Sequence, residues 1–557
     1  MHSEEEVFRA IEKDIDLYVD NNLFFTQGRS WAAISFLYQY EFFRRHQHIA
    51  FFENKLPKKD NSFVDYPQSS KATEIVLSKV FALCSEKKEK REKNIYQILF
   101  KDVERFFSDP DFFIIMYYYS HFVELCKMYS RGFMDVKVDK NKAIFISRND
   151  DYFRIIAFQE KRNIARQDKA KIVSPAIFHE QLKNIPFIFE LSNILHKWFR
   201  KTLFFPKRLT IPIEWIAGTY TNTSAKLLAY SDIPIDWNFG LYTINEYRAL
   251  WLGLLIKSSL VLDWFDKNIS QYIRYPLLFI QKRTHWVQEL SELTNLNKSK
   301  ISDMLNDLTF NHKEKNLGAM IQPFVPIFKK YLAVSPLMIY VSPYEGNFLD
   351  LQCKINKKSY DEFSINKEYI LIKDILVNLE KRESVKVRSR IRLSSDNKNI
   401  TDIDMVILEK TTASLILLQL KWPIRPKSTL DLFNKDKEIE NGIEQASKAY
   451  EYVSNNLDIF MKNQFSDEKD INIQKINSLV VVRDNIGTSA IYGKNIPVVD
   501  YDYFISQISN LDRAIIKIVE NAIGHPYLPK KDKDFKVVRR KIQIANYLLE
   551  FPIAEMD

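Results

Sequence analysis

Glycine is the scarcest resource of this sequence: 11 in 557 residues, against roughly 7% in average proteins. An architecture of many glycine-dependent turns is therefore excluded, and long helices are favoured. Neither G-x-x-x-x-G-K-[ST] nor G-x-G-x-x-G occurs, so a phosphate cradle of either type is not expected. Cysteine is nearly as sparse. Cys84, Cys126 and Cys353 are far apart, with no disulfide or metal-ligand spacing, which fits a reducing compartment. The nine histidines include no H-E-x-x-H, and a zinc site is not expected. No apolar run reaches membrane-spanning length: ALWLGLLIKSSLVLDWF, from Ala249, is broken by Lys257 and Asp263 and reads as a buried helix. The opening MHSEEEVFRAIEKD has no basic flank or apolar core of a signal peptide, so a cytoplasmic chain without a membrane partner is expected.

What is present is apolar, aromatic and basic. Hydrophobic residues make up 46%, aromatic residues 14% and charged residues 27%, with a formal net charge of +10. The balance is globular, the length calls for several domains, and the positive charge permits a polyanionic partner.

To about residue 330 the apolar spacing is mostly helical, as in FRAIEKDIDLYVDNNLFF and WAAISFLYQYEFFRRH. FFIIMYYYSHFVELCKMYS, from Phe112, is apolar around most of a helix and should be buried. The Lys-rich SEKKEKREKN from Ser85 reads as a solvated break. FMDVKVD, KAIFISR and DYFRIIAFQ read as a small β insertion. Residues 284–310 have the pattern of a helix-turn-helix, with Lys298 and Lys300 opening the second helix; an αα-hairpin is the alternative. The proline-rich stretch at 321–345 reads as extended connecting structure, which sets a boundary between a mainly helical region, 1–345, and a second domain, 346–557.

In that second domain the periodicity changes. A helix from Ile365 carries a stripe of Ile370, Ile372, Ile375 and Leu379. SVKVRSRIRL alternates, placing Lys386, Arg388, Arg390 and Arg392 together. TDIDMVILEKTTASLILLQLKWP forms a hairpin about EKTTA. DKEIENGIEQASKAYEYVSNN is a helix with Ile439, Ile443, Ala446, Tyr450 and Val453 on one face. SLVVVRDN and IPVVDYDYF are strands, and FISQISNLDRAIIKIVENAI is a helix. The expected order is αβββαβ(β)α around a mixed sheet. The basic tail from His525, with Lys530, Lys531, Arg539 and Arg540, reads as a solvated helix face.

In the hairpin, an antiparallel fold about the turn brings Asp404 beside Gln419 and Lys421. A carboxylate, an amide oxygen and a backbone carbonyl, that of Leu420, suit a hard cation such as Mg²⁺. A lysine beside them can orient or deprotonate a water, or balance charge at phosphorus. D-x(14)-Q-x-K on a hairpin, followed by a helix and further strands, resembles the PD-(D/E)xK nuclease superfamily, in a Q-x-K variant similar to Mrr-like enzymes. The resemblance covers about 360–525. It implies a restriction-endonuclease-like α/β domain and a metal-dependent endonuclease acting on DNA, most simply double-stranded, with Mg²⁺ as cofactor and Mn²⁺ able to substitute. It implies Asp404 and Gln419 as metal supports, Lys421 acting on the water, and an acid on the preceding helix. For that acid Glu368 is best placed, ahead of Asp374, Glu362 and Glu380. It further implies Gln445 lining the site. Arg388, Arg390 and Arg392 fit a phosphate-tracking face, with a charged edge strand as the alternative. Such fusions resemble prokaryotic defence or restriction effectors, and their helical regions recognise, gate or form homo-oligomers. The competing readings are a non-catalytic nucleic-acid-binding regulator on a degenerate nuclease fold, and an RNA-directed nuclease. Gln419 in place of the commoner glutamate removes one negative charge, and no proline precedes Asp404.

Overall fold

A computed structural model describes residues 4–52, 66–85, 111–149, 153–162, 237–267, 278–314, 317–342, 344–395, 398–424, 435–468, 470–484, 486–487 and 495–556. SEKKEKREKN lies almost wholly outside them. The chain forms two compact units. The first comprises residues 1–146, 165–360 and 541–551; the second comprises 147–164, 361–540 and 552–557.

The first unit is built on helices. In α1 (Glu4–Asp20), Phe8, Ile11, Ile15 and Val19 recur every three or four residues and are buried, while Glu4, Glu5 and Glu6 occupy the first turn, where the helix dipole favours acids. α2 (Arg29–Phe52), α3 (Tyr66–Leu83) and α4 (Asp111–Ser130) follow. α4 is the expected buried helix, and Phe112 stacks on Phe24 with ring centroids 3.9 Å apart. β1 (Met134–Asp139) and β2 (Lys142–Ser147) form two of the three expected strands. The third expectation fails: residues 153–162 are helical, and Ile155 and Phe158 pack in the second unit. β-Branched and aromatic composition favours strands only weakly against tertiary packing.

α5 (Ile244–Lys267) is the long apolar helix, and its Lys257 is 1% exposed. The ammonium lies 2.7 and 2.9 Å from the two Glu289 oxygens and 4.7 and 4.5 Å from the Phe279 and Trp286 rings. A buried charge persists only when paired in this way. β3 (Phe279–Lys282), α6 (Arg283–Thr294) and α7 (Lys298–Asp307) come next. The proline-rich stretch then holds β4 (Val325–Ile327), β5 (Tyr331–Val334), α8 (Pro336–Val341) and the start of α9 (Tyr344–Ile355). It is no domain linker. Pro326 sits on an edge strand and Pro336 opens a helix behind the Ser335 cap, both places where proline is tolerated. The division between units falls at Tyr360 rather than near 345.

The second unit begins along α10 (Lys357–Leu379), whose Leu371, Ile372, Ile375 and Leu379 enter the core; Leu371 takes the place expected for Ile370. β6 (Val385–Ser395), β7 (Lys398–Glu409) and β8 (Ser414–Lys421) form an antiparallel meander. α11 (Asp436–Asn455) and α12 (Leu457–Gln464) cross to β9 (Lys475–Val482), which runs parallel to β8. β10 (Val498–Asp500) adds a second parallel strand, giving a five-stranded mixed sheet in the order β10-β9-β8-β7-β6. One face packs on α10 through Met405, Ile407, Ile416 and Leu418, and the other on α11 through Val406, Leu408, Leu415 and Leu417. Burial on both faces is why the hairpin reads as continuous apolar runs. On α11, Ala449 is buried and Tyr450 is 42% exposed, against the expected face. The single helix expected after β10 is two, α13 (Tyr501–Ile508) and α14 (Ile515–Ala522), divided at Asn510–Asp512.

The basic tail is not helical. β11 (Phe535–Ile544) and β12 (Tyr547–Met556) complete a sheet of order β1-β2-β12-β11, with Leu549 of β12 facing Ala143 of β2 in parallel. Among the described residues, no helix is long and apolar enough to cross a membrane.

Candidate active site

The site lies where the β7–β8 ladder ends. The last β7–β8 pair is Met405 with Leu418. On the other side, β6 pairs Ser389 with Met405 and Ile391 with Ile403, and skips Arg390 and Asp404 between them. Arg390 has φ 56°, left-handed backbone that costs a non-glycine residue roughly 1–2 kcal/mol. The break frees Asp404 from both ladders.

Its carboxylate turns toward β8, where Oδ2 accepts the N–H of Leu420 at 2.6 Å. The N–H and C=O of one strand residue point to the same edge, so the Leu420 carbonyl faces the same opened gap. Gln419 is 2% exposed, and its Nε2 donates to the Asp402 carbonyl. Its Oε1 is the amide's remaining acceptor. Lys421 ends β8, its carbonyl fixed by the Arg483 N–H at 2.9 Å.

The Lys421 stem runs across α11. A Cβ placed on Gly442 would lie 3.1 Å from Lys421 Cε and 3.2 Å from Cγ. A glycine inside a helix costs about 1 kcal/mol relative to alanine, and here its bare face makes room for the lysine. Three residues on, the Gln445 Oε1 is buried with no hydrogen-bond partner among the described residues.

Glu368 enters from α10, half-buried. Burial first, and the Glu368 carboxylate second, push Asp404 up to about 6; the Leu420 N–H and the Lys421 ammonium oppose the shift, and Asp402 adds to it. Two acids held close enough to oppose each other's ionisation are a site a cation would relieve. Among the described residues, no three His, Cys, Asp or Glu side chains group closely enough to hold a metal alone. The oxygens that could hold a cation here are of mixed kind: the Asp404 and Glu368 carboxylates, the Gln419 amide oxygen and the Leu420 carbonyl. All are oxygens, as Mg²⁺ or Mn²⁺ requires.

The other acids stand apart. Asp374 accepts the Tyr501 hydroxyl at 3.0 Å, and Glu362 and Glu380 are exposed. Asp402 is exposed and lies 3.4 Å from Arg392. The arginines of β6 do not form one face, because the left-handed Arg390 breaks the alternation. Arg388 donates to the Gln464 carbonyl at 2.8 Å, pairs with Asp467 and stacks on Phe465. Arg390 instead lies 5.0 Å over the ring of Tyr369 of α10.

Two features escaped the sequence reading. Gly442 had a signal, a glycine inside a strong helix in a glycine-poor chain. Arg483 had none: it lies between the Trp422 and Tyr501 rings at 4.3 and 4.9 Å, directly after β9. Compared with known proteins, the chain matches no protein-family profile, no curated protein and no solved structure.

Proposed function

We propose that the second unit is a metal-dependent nuclease that hydrolyses phosphodiester bonds in double-stranded DNA. The observation that carries this reading is the Asp404 carboxyl, pushed up to about 6 by burial and Glu368 while its Oδ2 binds the Leu420 N–H beside Gln419 and Lys421. The order α10-β6-β7-β8-α11-β9 supports a restriction-endonuclease-like domain, with the four polar groups at the position such a domain uses.

Asp404, Glu368, Gln419 Oε1 and the Leu420 carbonyl would hold Mg²⁺ or Mn²⁺, which supplies charge stabilisation at phosphorus and a more acidic water. Gln419 bonds the Asp402 carbonyl, which keeps β7 and β8 at a fixed spacing where their ladder ends. Lys421, its stem laid on Gly442, presents its amine for the proton of the attacking water, or its ammonium for the charge gathering on the phosphoryl oxygens. Arg390, unpaired in the β6–β7 ladder opposite Asp404 and stacked over Tyr369, is the β6 arginine that would meet a substrate phosphate. A role as a restriction or defence effector extends this reading.

The test is incubation of the full chain with plasmid, single-stranded DNA and RNA, with Mg²⁺ or Mn²⁺. Wild type is expected to cut plasmid, and Lys421→Ala to lose at least about a hundredfold in rate while keeping its circular dichroism. No cleavage of any substrate, or equal cleavage by the variant, overturns the reading. Preference for RNA would move the substrate class.

A further inference from the structure

We propose that residues 278–334 of the first unit form a duplex-DNA-binding module, independent of the phosphodiester chemistry above. The order β3-α6-α7-β4-β5, led by α5, with the antiparallel sheet arranged β3-β5-β4, is that of a helix-turn-helix followed by a short hairpin wing. The turn between the helices is tight. Asn295 takes φ 56° after α6, and Asn297 caps α7 by accepting the Ser299 N–H at 3.0 Å. Ile301, Met304 and Leu305 bury the inner face of α7, so Lys298, Ser299 and Asn306 face outward, exposed. That disposition is what a recognition helix needs.

The wing is basic and held rigid. Its turn is Phe328-Lys329-Lys330, where Phe328 and Lys329 have φ 42° and 59°. The Phe328 N–H donates to Ser30 Oγ at 2.7 Å, and its ring packs on Trp31 at 5.2 Å. Lys329 and Lys330 remain exposed, as does Lys282 at the adjoining strand end.

Arg283 joins wing to helix. Its backbone N–H donates to the Lys330 carbonyl at 3.0 Å, while its guanidinium reaches the Ser302 carbonyl at 3.2 Å and Asn306 Oδ1 at 2.5 Å. Basic groups of the wing and the polar outer stripe of α7 thus share one surface.

Charge and polarity select the occupant. Among the described residues, no large apolar side chain of 278–334 is strongly exposed, which is poor ground for a protein partner. Lysines flanking a short polar helix stripe suit phosphates on either side of a groove.

The experiment is anisotropy of a labelled 25-base-pair duplex titrated with the full chain carrying Lys421→Ala, in EDTA, so that failure of the nuclease reading leaves it interpretable. Lys329→Glu/Lys330→Glu, in the same chain, is expected to weaken binding at least tenfold. Its slope of log affinity against log salt should fall by about two, near 0.9 per lost phosphate contact. Lys329→Ala/Lys330→Ala gives the same loss of slope if the glutamate pair perturbs folding. No duplex binding by the parent chain, unchanged affinity and slope in both variants, or tighter binding of an RNA hairpin or single strand overturns the proposal.

Discussion

Asp404 is ionised at neutral pH against its surroundings. Its carboxyl is raised from the ordinary 3.8 to about 6 by burial and by Glu368. A raised acid contributes its full stability below the unfolded value and loses it as pH climbs through the folded one. Metal-free protein should therefore lose roughly 2 kcal/mol from this group between pH 4 and pH 6.5. Asp404→Asn keeps an acceptor for the Leu420 N–H and removes the charge. In EDTA at pH 7.5 its thermal midpoint should exceed that of wild type by several degrees, with the gap closing by pH 4. An equal or lower midpoint at pH 7.5 would mean that the carboxylate is not destabilised. Millimolar Mg²⁺ should reverse the order, stabilising wild type by mass action and leaving Asp404→Asn unmoved.

At the scale of the element, α11 and β6 each carry a residue that local preference opposes. Gly442→Ala adds helix propensity worth about 1 kcal/mol, yet its Cβ would lie 3.1 Å from Lys421 Cε and 3.3 Å from Val480 Cγ1. The lysine can yield, so melting should shift by only a few degrees while cleavage falls about tenfold or more. Unchanged cleavage would show that the lysine's path over α11 does not matter. Arg390 is the second case. Glycine accepts φ 56° without strain, so Arg390→Gly should melt no lower than wild type. Arg390→Val, β-branched in left-handed backbone, should melt lower. Strand alternation had put Arg390 with Arg388 and Arg392, because that pattern assumes regular backbone throughout. One left-handed residue turns its side chain off that face without shifting the register, and nothing in SVKVRSRIRL marks where. The hairpin itself was legible because Asp404, Gln419 and Lys421 interrupt runs that are otherwise apolar, and the turn fixes which positions meet. Glu368 was legible only through the resemblance, on a helix whose expected stripe, Ile370, Ile372, Ile375 and Leu379, is off by a residue at one position. The helix at 153–162 was not, since its aromatic and β-branched composition suits either state and packing decides.

For the whole molecule, long-range pairing is what a local pattern cannot supply, and the C-terminal segment shows the consequence. His525 to Gln543 reads as a basic, solvated tail, whereas β11 and β12 pair into the sheet of β1 and β2, with residues 541–551 counted in the first unit. Lys536, Arg539 and Lys541 of β11 are exposed, while Phe535, Ile542 and Ile544 of the same strand are buried. Ile542, Ile544, Leu549 and Phe551 are each 4% exposed or less, and burial of one such side chain contributes roughly 1.5–3 kcal/mol. Removing the two strands would also bare β2, whose Lys142, Ala143 and Ile144 pair with Leu548, Leu549 and Glu550, leaving an open apolar edge. The sum is comparable with the whole stability of a domain. A chain ending at Asp534 should therefore be poorly soluble or show early protease cuts between residues 111 and 149, whereas a dispensable tail would leave melting and proteolysis unchanged. Lys536→Ala/Arg539→Ala, which removes charge and keeps the strands, separates the two readings: it should melt within a few degrees of wild type.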